Sequence, residues 1–230
     1  MKVVICEKYN QGEVVAETIC DGPVKQTQQD EPLWICGDEL VVIPLSGQIF
    51  EINNVEGRSG YPDFPELEWV VQDRHSSKVD VLTHWYAQAD EVVLAGDYDR
   101  EGELISTLAL LIPKWGEADY QHIHDWDVPV TRMKYSSMVP HEIQEAWDNR
   151  GEPDEALFEA GVARAVIDYR VGINISKGLS QCVLRGLGDW VTLSAGRVQT
   201  PLVSLINDRT EEHRDHDPET YWTPKIEWEP

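Results

Sequence analysis

Glu91-Val92-Val93-Leu94-Ala95-Gly96-Asp97-Tyr98-Asp99-Arg100-Glu101-Gly102-Glu103 decides the fold class. Its first five residues are a short apolar run, the pattern of a buried strand over 91–95. An acidic turn follows, and beyond it Leu104, Leu108 and Leu111 recur on one face of a helix. Asp97, Asp99 and Glu101, at spacing two, are thus delivered by a strand exit and the first turn of a helix. Two readings of these carboxylates stand. Hard oxygen donors suit Mg²⁺, which keeps several waters and is completed by substrate phosphates; the ion would stabilise charge building on a phosphoryl centre. Alternatively, acidic residues at a helix N-terminus complement the macrodipole and need no metal.

Upstream, Lys2-Val3-Val4-Ile5-Cys6 is a second β-branched run that ends at Glu7-Lys8, and Val14, Val15 and Ile19 follow Asn10 at helical spacing. Leu33-Trp34-Ile35-Cys36 and Leu40-Val41-Val42-Ile43 flank Gly37-Asp38-Glu39 as a hairpin would. Residues 53–76 read as loop, and Val79, Leu82, Trp85, Tyr86 and Ala89 predict a helix from Lys78. The alternation of strand and helix to about residue 150 argues for an α/β unit with a mostly parallel sheet, whose ligands sit at the carboxyl ends of strands. Asn149-Arg150-Gly151-Glu152-Pro153 is a natural boundary, giving an α/β domain over 1–150 and a mainly helical segment over 151–230. Helix is expected from Glu155 to about Glu212, and Thr220 to Trp228 alternates like a strand.

The 230 residues carry 42 acidic against 19 basic side chains, a net charge of −23, which taken alone argues against a polyanionic partner. The distribution of charge points the other way, because between Gly161 and Arg209 six basic residues (Arg164, Arg170, Lys177, Arg185, Arg197, Arg209) face only Asp168, Asp189 and Asp208. An acid-coated surface with few lysines suits molar salt, where the screening length shrinks to roughly 3 Å, so a halophilic source is one reading and an ordinary acidic cytosolic protein the other. No run of 18 apolar residues and no signal peptide is present, so a soluble, cytoplasmic protein is expected, with no membrane partner. Cys6, Cys20, Cys36 and Cys182 form no C-x-x-C pair and are expected reduced. Without a Walker-type or G-x-G-x-x-G loop, no nucleotide cofactor is indicated. His122 and His124, lacking a third zinc-type ligand, read as a polar loop.

The D-x-D-x-E-G-E run after a buried strand resembles the Toprim signature, shared by type IA topoisomerases, bacterial-type primases and some nucleases. The helical segment narrows the choice. Ala163-Arg164 through Asp168, Val171-Gly172 and Ser176 resembles the type IA topoisomerase stretch A-R-x-x-x-D-x-x-V-G-x-x-x-S, and Leu193-Ser194-Ala195-Gly196-Arg197-Val198-Gln199-Thr200-Pro201 is nearly identical to its L-S-A-G-R-V-Q-[ST]-P motif. Val130 to Met138 is similar to the strand that closes the family's Toprim domain, and Pro218 to Trp222 to the strand leading into its next domain. The resemblance implies a Rossmann-like Toprim domain and a site in which Asp97, Asp99 and Glu101 hold Mg²⁺. It further implies that Glu7 assists proton transfer at the scissile ribose oxygen and that Lys8 contacts the scissile phosphate.

The small residues Ser194-Ala195-Gly196 let backbone approach a phosphate at the start of the next helix, or Ser194 simply caps that helix. Arg164, Arg170, Arg197, Gln199 and Thr200 add donors for a DNA backbone, and Tyr169 and Trp190 either stack on bases or pack in the core. The chain departs from the family at Leu45-Ser46-Gly47-Gln48, where S-x-G-H is usual. None of Tyr9, Tyr61, Tyr86, Tyr98, Tyr120, Tyr135, Tyr169 or Tyr221 has the Y-x-R-T-like context of the family's nucleophile, so domains carrying that tyrosine are an expected partner. A stand-alone Toprim nuclease and a non-catalytic single-strand DNA-binding module, or half of a split enzyme, remain alternatives.

Overall fold

The computed structural model describes residues 1–27, 31–55, 62, 64–187 and 192–228, with the backbone alone for 184–187. The chain forms two compact units, Met1–Arg170 and Val171–Pro230.

In chain order the elements are β1 (Lys2–Cys6), α1 (Tyr9–Ile19), β2 (Val24–Gln26), β3 (Trp34–Cys36), β4 (Leu40–Pro44), β5 (Phe50–Asn54), β6 (Leu67–Val71), α2 (Ser76–Tyr86), β7 (Glu91–Leu94), α3 (Arg100–Trp115), β8 (Val130–Arg132), α4 (Pro140–Asp148), α5 (Glu155–Leu187) and α6 (Gln199–Arg214). Six strands form one sheet in the order β2-β3-β4-β1-β7-β8. β1 lies at its centre, parallel to both β4 and β7, and β8 extends the parallel part. The predicted hairpin is the antiparallel pair β3 and β4, and β2 adds to it.

Side chains of a strand alternate between faces, so a strand buried on both sides must be apolar throughout. β1 shows this directly. Val3 and Ile5 join Val41, Ile43, Val92 and Leu94 under Leu82 of α2 and Leu104 and Leu108 of α3. Val4 and Cys6 join Val42 and Val93 on the opposite face, covered by Val15 and Ala16 of α1 and Ile143 and Ala146 of α4. Burial of one such side chain stabilises by about 1.5–3 kcal/mol. Because β1 and β7 run parallel, their carboxyl ends, Cys6-Glu7-Lys8 and Leu94 to Asp97, open on the same edge.

Three expectations are corrected. Part of the 53–76 stretch is sheet: β5 and β6 pair antiparallel, with Ile52 opposite Trp69. The Gly- and Pro-rich stretch between them hid two short strands whose pairing partner lay beyond the turn residues. Cys20 and Cys36, expected reduced, form a disulfide, because the end of α1 packs beside β3 with the two Cα atoms 5.8 Å apart; Cys6 is buried and free and Cys182 is exposed and free. Thr220 to Trp228 forms no strand and is fully exposed, since alternation without a neighbouring strand leaves the backbone no ladder to join.

In the second unit, Ser176 and Ser180, one turn apart on α5, hold the segment before α6. The Ser176 hydroxyl accepts from the Ala195 amide (2.9 Å) and donates to the Ala195 carbonyl (3.2 Å). Ser180 makes the same pair of bonds with Leu193, at 2.9 and 3.3 Å. No residue of α6 is buried. No helix of the described residues is long and apolar enough to cross a membrane.

Candidate active site

Strand β1 delivers Glu7 and Lys8, and β7 delivers Asp97, 89 residues after Lys8. The Lys8 ammonium bridges them, 2.9 Å from Glu7 Oε1 and 2.7 Å from Asp97 Oδ2. Gln11, buried in the first turn of α1, locks the corner. Its Oε1 accepts from the Glu7 amide at 2.8 Å and its Nε2 donates to Asp97 Oδ1 at 3.0 Å. Gln11 carries no signal in the sequence, because its role depends on a partner at residue 97.

The hydrogen bond to Asp97, then that to Glu7, raises the pKa of Lys8, so its ammonium stays charged. Glu7 is only 6% exposed, and its Oε2 is buried with no hydrogen-bond partner. A buried carboxylate oxygen left unsatisfied is costly unless a proton, water or cation reaches it. That orphaned oxygen and the neighbouring Asp97 are hard donors of the kind Mg²⁺ takes, so the residues fit such an ion.

Asp99 and Glu101 do different work. Asp99 is the N-cap of α3, its Oδ1 accepting from the amides of Glu101 (3.0 Å) and Gly102 (2.8 Å). Glu101 stands exposed in the first turn. Among the described residues no three His, Cys, Asp or Glu side chains group as a metal site, so Asp97, Asp99 and Glu101 do not converge on one point. Helix-dipole complementarity thus accounts for part of the acidic run.

The chain closes tightly around this corner. A Cβ on Gly102 would lie 2.2 Å from the Asp97 carbonyl oxygen, and one on Gly96 would lie 2.4 Å from Ser106 Oγ. Only glycine lets the start of α3 fold back against the strand exit.

Beneath the corner lies a residue pair that sequence reasoning missed. Arg132 and Glu103 are both fully buried, with Nε 2.7 Å from Oε2. The same guanidinium donates to the carbonyls of Leu94, Gly96, Asp97 and Met133, at 3.3, 2.8, 2.8 and 2.7 Å. The second oxygen of Glu103 accepts from the Asp154 amide at 2.8 Å. The Leu94 and Asp97 carbonyls also accept from the amides of Met133 and Asp99, so Arg132 matters most to the Gly96 and Met133 carbonyls, and it fixes the direction in which Asp97 leaves β7. The available signal was an arginine inside Val130-Thr131-Arg132-Met133, since a cation in a buried strand requires an anion nearby.

Three comparisons bear on this geometry. The Toprim domain family matches residues 2–124 and the DNA topoisomerase family residues 152–229. The chain belongs to the type IA DNA topoisomerase family. The DNA topoisomerase 1 of Methanothermobacter thermautotrophicus is 31% identical over 98% of this chain, which spans 32% of that protein. The DNA topoisomerase 1 of Pyrococcus furiosus is 30% identical over 100% of this chain and 22% of its own length. Full-length topoisomerase I from Thermotoga maritima shares the fold, with a TM-score of 0.63 at 24% identity over 94% of this chain and 31% of that one. The chain thus spans about a third or less of the relatives named here.

The topoisomerase motifs of the helical segment occupy defined places. Arg164 is exposed on α5, 3.7 Å from Asp168, and Arg170 is exposed on the same helix. Ser194 is not the N-cap of α6, which is Val198; its hydroxyl accepts from Gln199 Nε2 at 3.2 Å. Thr200 Oγ1 accepts from the Gly196 amide at 3.1 Å, and Arg197, Gln199 and Thr200 are exposed. Tyr169 is half-buried, and Trp190 lies outside the described residues, as does the Arg185 side chain. In place of the family's usual histidine, Gln48 turns to its own loop, its Oε1 accepting from the Phe50 amide at 3.4 Å. His122 stacks on Trp115 with ring centroids 5.0 Å apart, in a short 3-10 turn that builds no metal site.

Proposed function

We propose that this chain supplies the magnesium-binding and single-strand DNA-binding part of a type IA topoisomerase, which breaks one DNA strand, passes another and reseals it without ATP. The meeting of Glu7, Lys8 and Asp97 at the shared carboxyl edge of two parallel strands carries the reading. Asp97 beside Glu7 would hold the ion, with Asp99 and Glu101 of the same run turning toward it when it binds. Bound there, Mg²⁺ would neutralise charge on the phosphate being broken and remade. Lys8, fixed in its charged form, contacts that phosphate. Glu7, buried beside it, exchanges a proton at the ribose oxygen.

Arg164, Arg170, Arg197, Gln199, Thr200 and the amides near Ser194 and Gly196 grip the strand's phosphates, contacts that position DNA without reading its sequence. The nucleophilic tyrosine is supplied by further topoisomerase domains, with which this chain works.

The test is a labelled single-stranded oligonucleotide mixed with the chain and Mg²⁺ in high salt. Binding without cutting is expected, weakened by Arg197→Ala. Unchanged affinity in that variant would count against the proposed DNA contact at Arg197, and Mg²⁺-dependent cutting abolished by Asp97→Ala would replace the topoisomerase reading with a nuclease.

A further inference from the structure

Tyr98 sits between Asp97 and Asp99 with 45% of its surface exposed, at a strand exit where no core packing calls for a large ring. It borders an open cleft of about 380 Å³ that Ser136, Ser137 and Met138 also line, and Met138 is itself 38% exposed. The other aromatic of the cleft, Tyr135, is committed elsewhere. It is 7% exposed, and its hydroxyl donates to the Ala95 carbonyl at 2.5 Å. The Lys134 ammonium lies 5.3 Å from the Tyr98 ring centre, within the range at which a cation is held by an aromatic face. An aromatic face and a flexible thioether therefore line one cleft beside the carboxylates, with a cation held against the ring.

We propose that Tyr98, oriented by Lys134 and flanked by Met138, is a stacking shelf for one base of the single strand, next to the phosphate that Lys8 contacts. This rests on the proposed function and adds a subsite to it. A DNA strand presents a flat apolar base and a charged phosphate within one nucleotide, and the cleft presents an apolar ring with a cation beside it. Lys134 also gives this acidic rim a positive group, which an incoming phosphate needs. Stacking accepts any base, because every base has a π face, so the shelf grips without selecting sequence.

Affinity for a base-bearing oligonucleotide and for an abasic oligomer of equal length, both in Mg²⁺, tests the shelf. Tyr98→Ala should bind the first roughly 5- to 100-fold more weakly than the unsubstituted chain and the second equally well, and Tyr98→Trp should restore the loss. The exposed position makes folding of these variants straightforward to verify by circular dichroism. If Tyr98→Ala binds the base-bearing strand normally while Arg197→Ala does not, the shelf falls and the DNA-binding reading survives. Equal losses on both oligomers would make Tyr98 a phosphate or structural contact and also overturn the shelf. If the unsubstituted chain binds neither oligomer, the proposed function fails and the shelf fails with it.

Discussion

The sheet unit and the helix α6 both carry runs of apolar residues but use them in opposite ways. In the sheet, Val3, Val4, Ile5, Val92, Val93 and Leu94 are all 0% exposed. On α6, Leu202, Val203, Leu205 and Ile206 are 55–59% exposed, and Tyr221, Trp222, Ile226 and Trp228 beyond it are 82–92% exposed. The helix that begins inside the longest and most specific family motif is thus the one with no buried residue of its own. Hydrophobic periodicity records only which face wants cover, not what covers it.

Substitutions in the two regions should differ accordingly. The largest effect is expected at the buried pair. Arg132→Ala leaves the Glu103 carboxylate uncompensated in the core and should cost about 3–5 kcal/mol in urea unfolding. The paired replacement Arg132→Met with Glu103→Gln should recover only the part due to the uncompensated charge, because the carbonyls that Arg132 serves stay without their donor; a double variant less stable than Arg132→Ala would sink that account. Next comes the helix cap. Asp99→Ala should cost about 1 kcal/mol, and Asp99→Asn much less, because the amide oxygen still accepts from the Glu101 and Gly102 amides. The same two variants should weaken Mg²⁺ binding alike; if Asn binds the ion as aspartate does, the carboxylate is a cap and nothing more. The smallest effect is expected on α6, where Leu205→Ala should change stability by no more than about 0.5 kcal/mol, against about 2–5 kcal/mol for Leu108→Ala. A large loss at Leu205 would mean that α6 is covered in solution, and the contrast between the two regions would collapse.

The central strands, α1 to α3 and the acidic corner were legible because each depends on local pattern: β-branched runs, 3.6-residue recurrence, and carboxylates just past a strand. β5 and β6 were not, since a strand with two half-polar faces shows its nature only when its partner is known. Ser176 and Ser180 read as ordinary helix residues until Leu193 and Ala195 came back to them. Cys20 and Cys36 have no motif, only a shared place.

Read alone, the chain shows the central strands and the helices through apolar period and backbone propensity, which act over a few residues, and shows the family through contiguous motifs such as Leu193 to Pro201. The tertiary structure alone decided that Lys8 meets Asp97, that Gln11 locks them, and that Arg132 ties Glu103 to the strand exit. Those contacts join residues 29 to 89 positions apart. Hydrogen bonds act over a few ångströms and screened charge pairs over roughly 10 Å, so both are set by distance in space, which no local reading of a chain supplies.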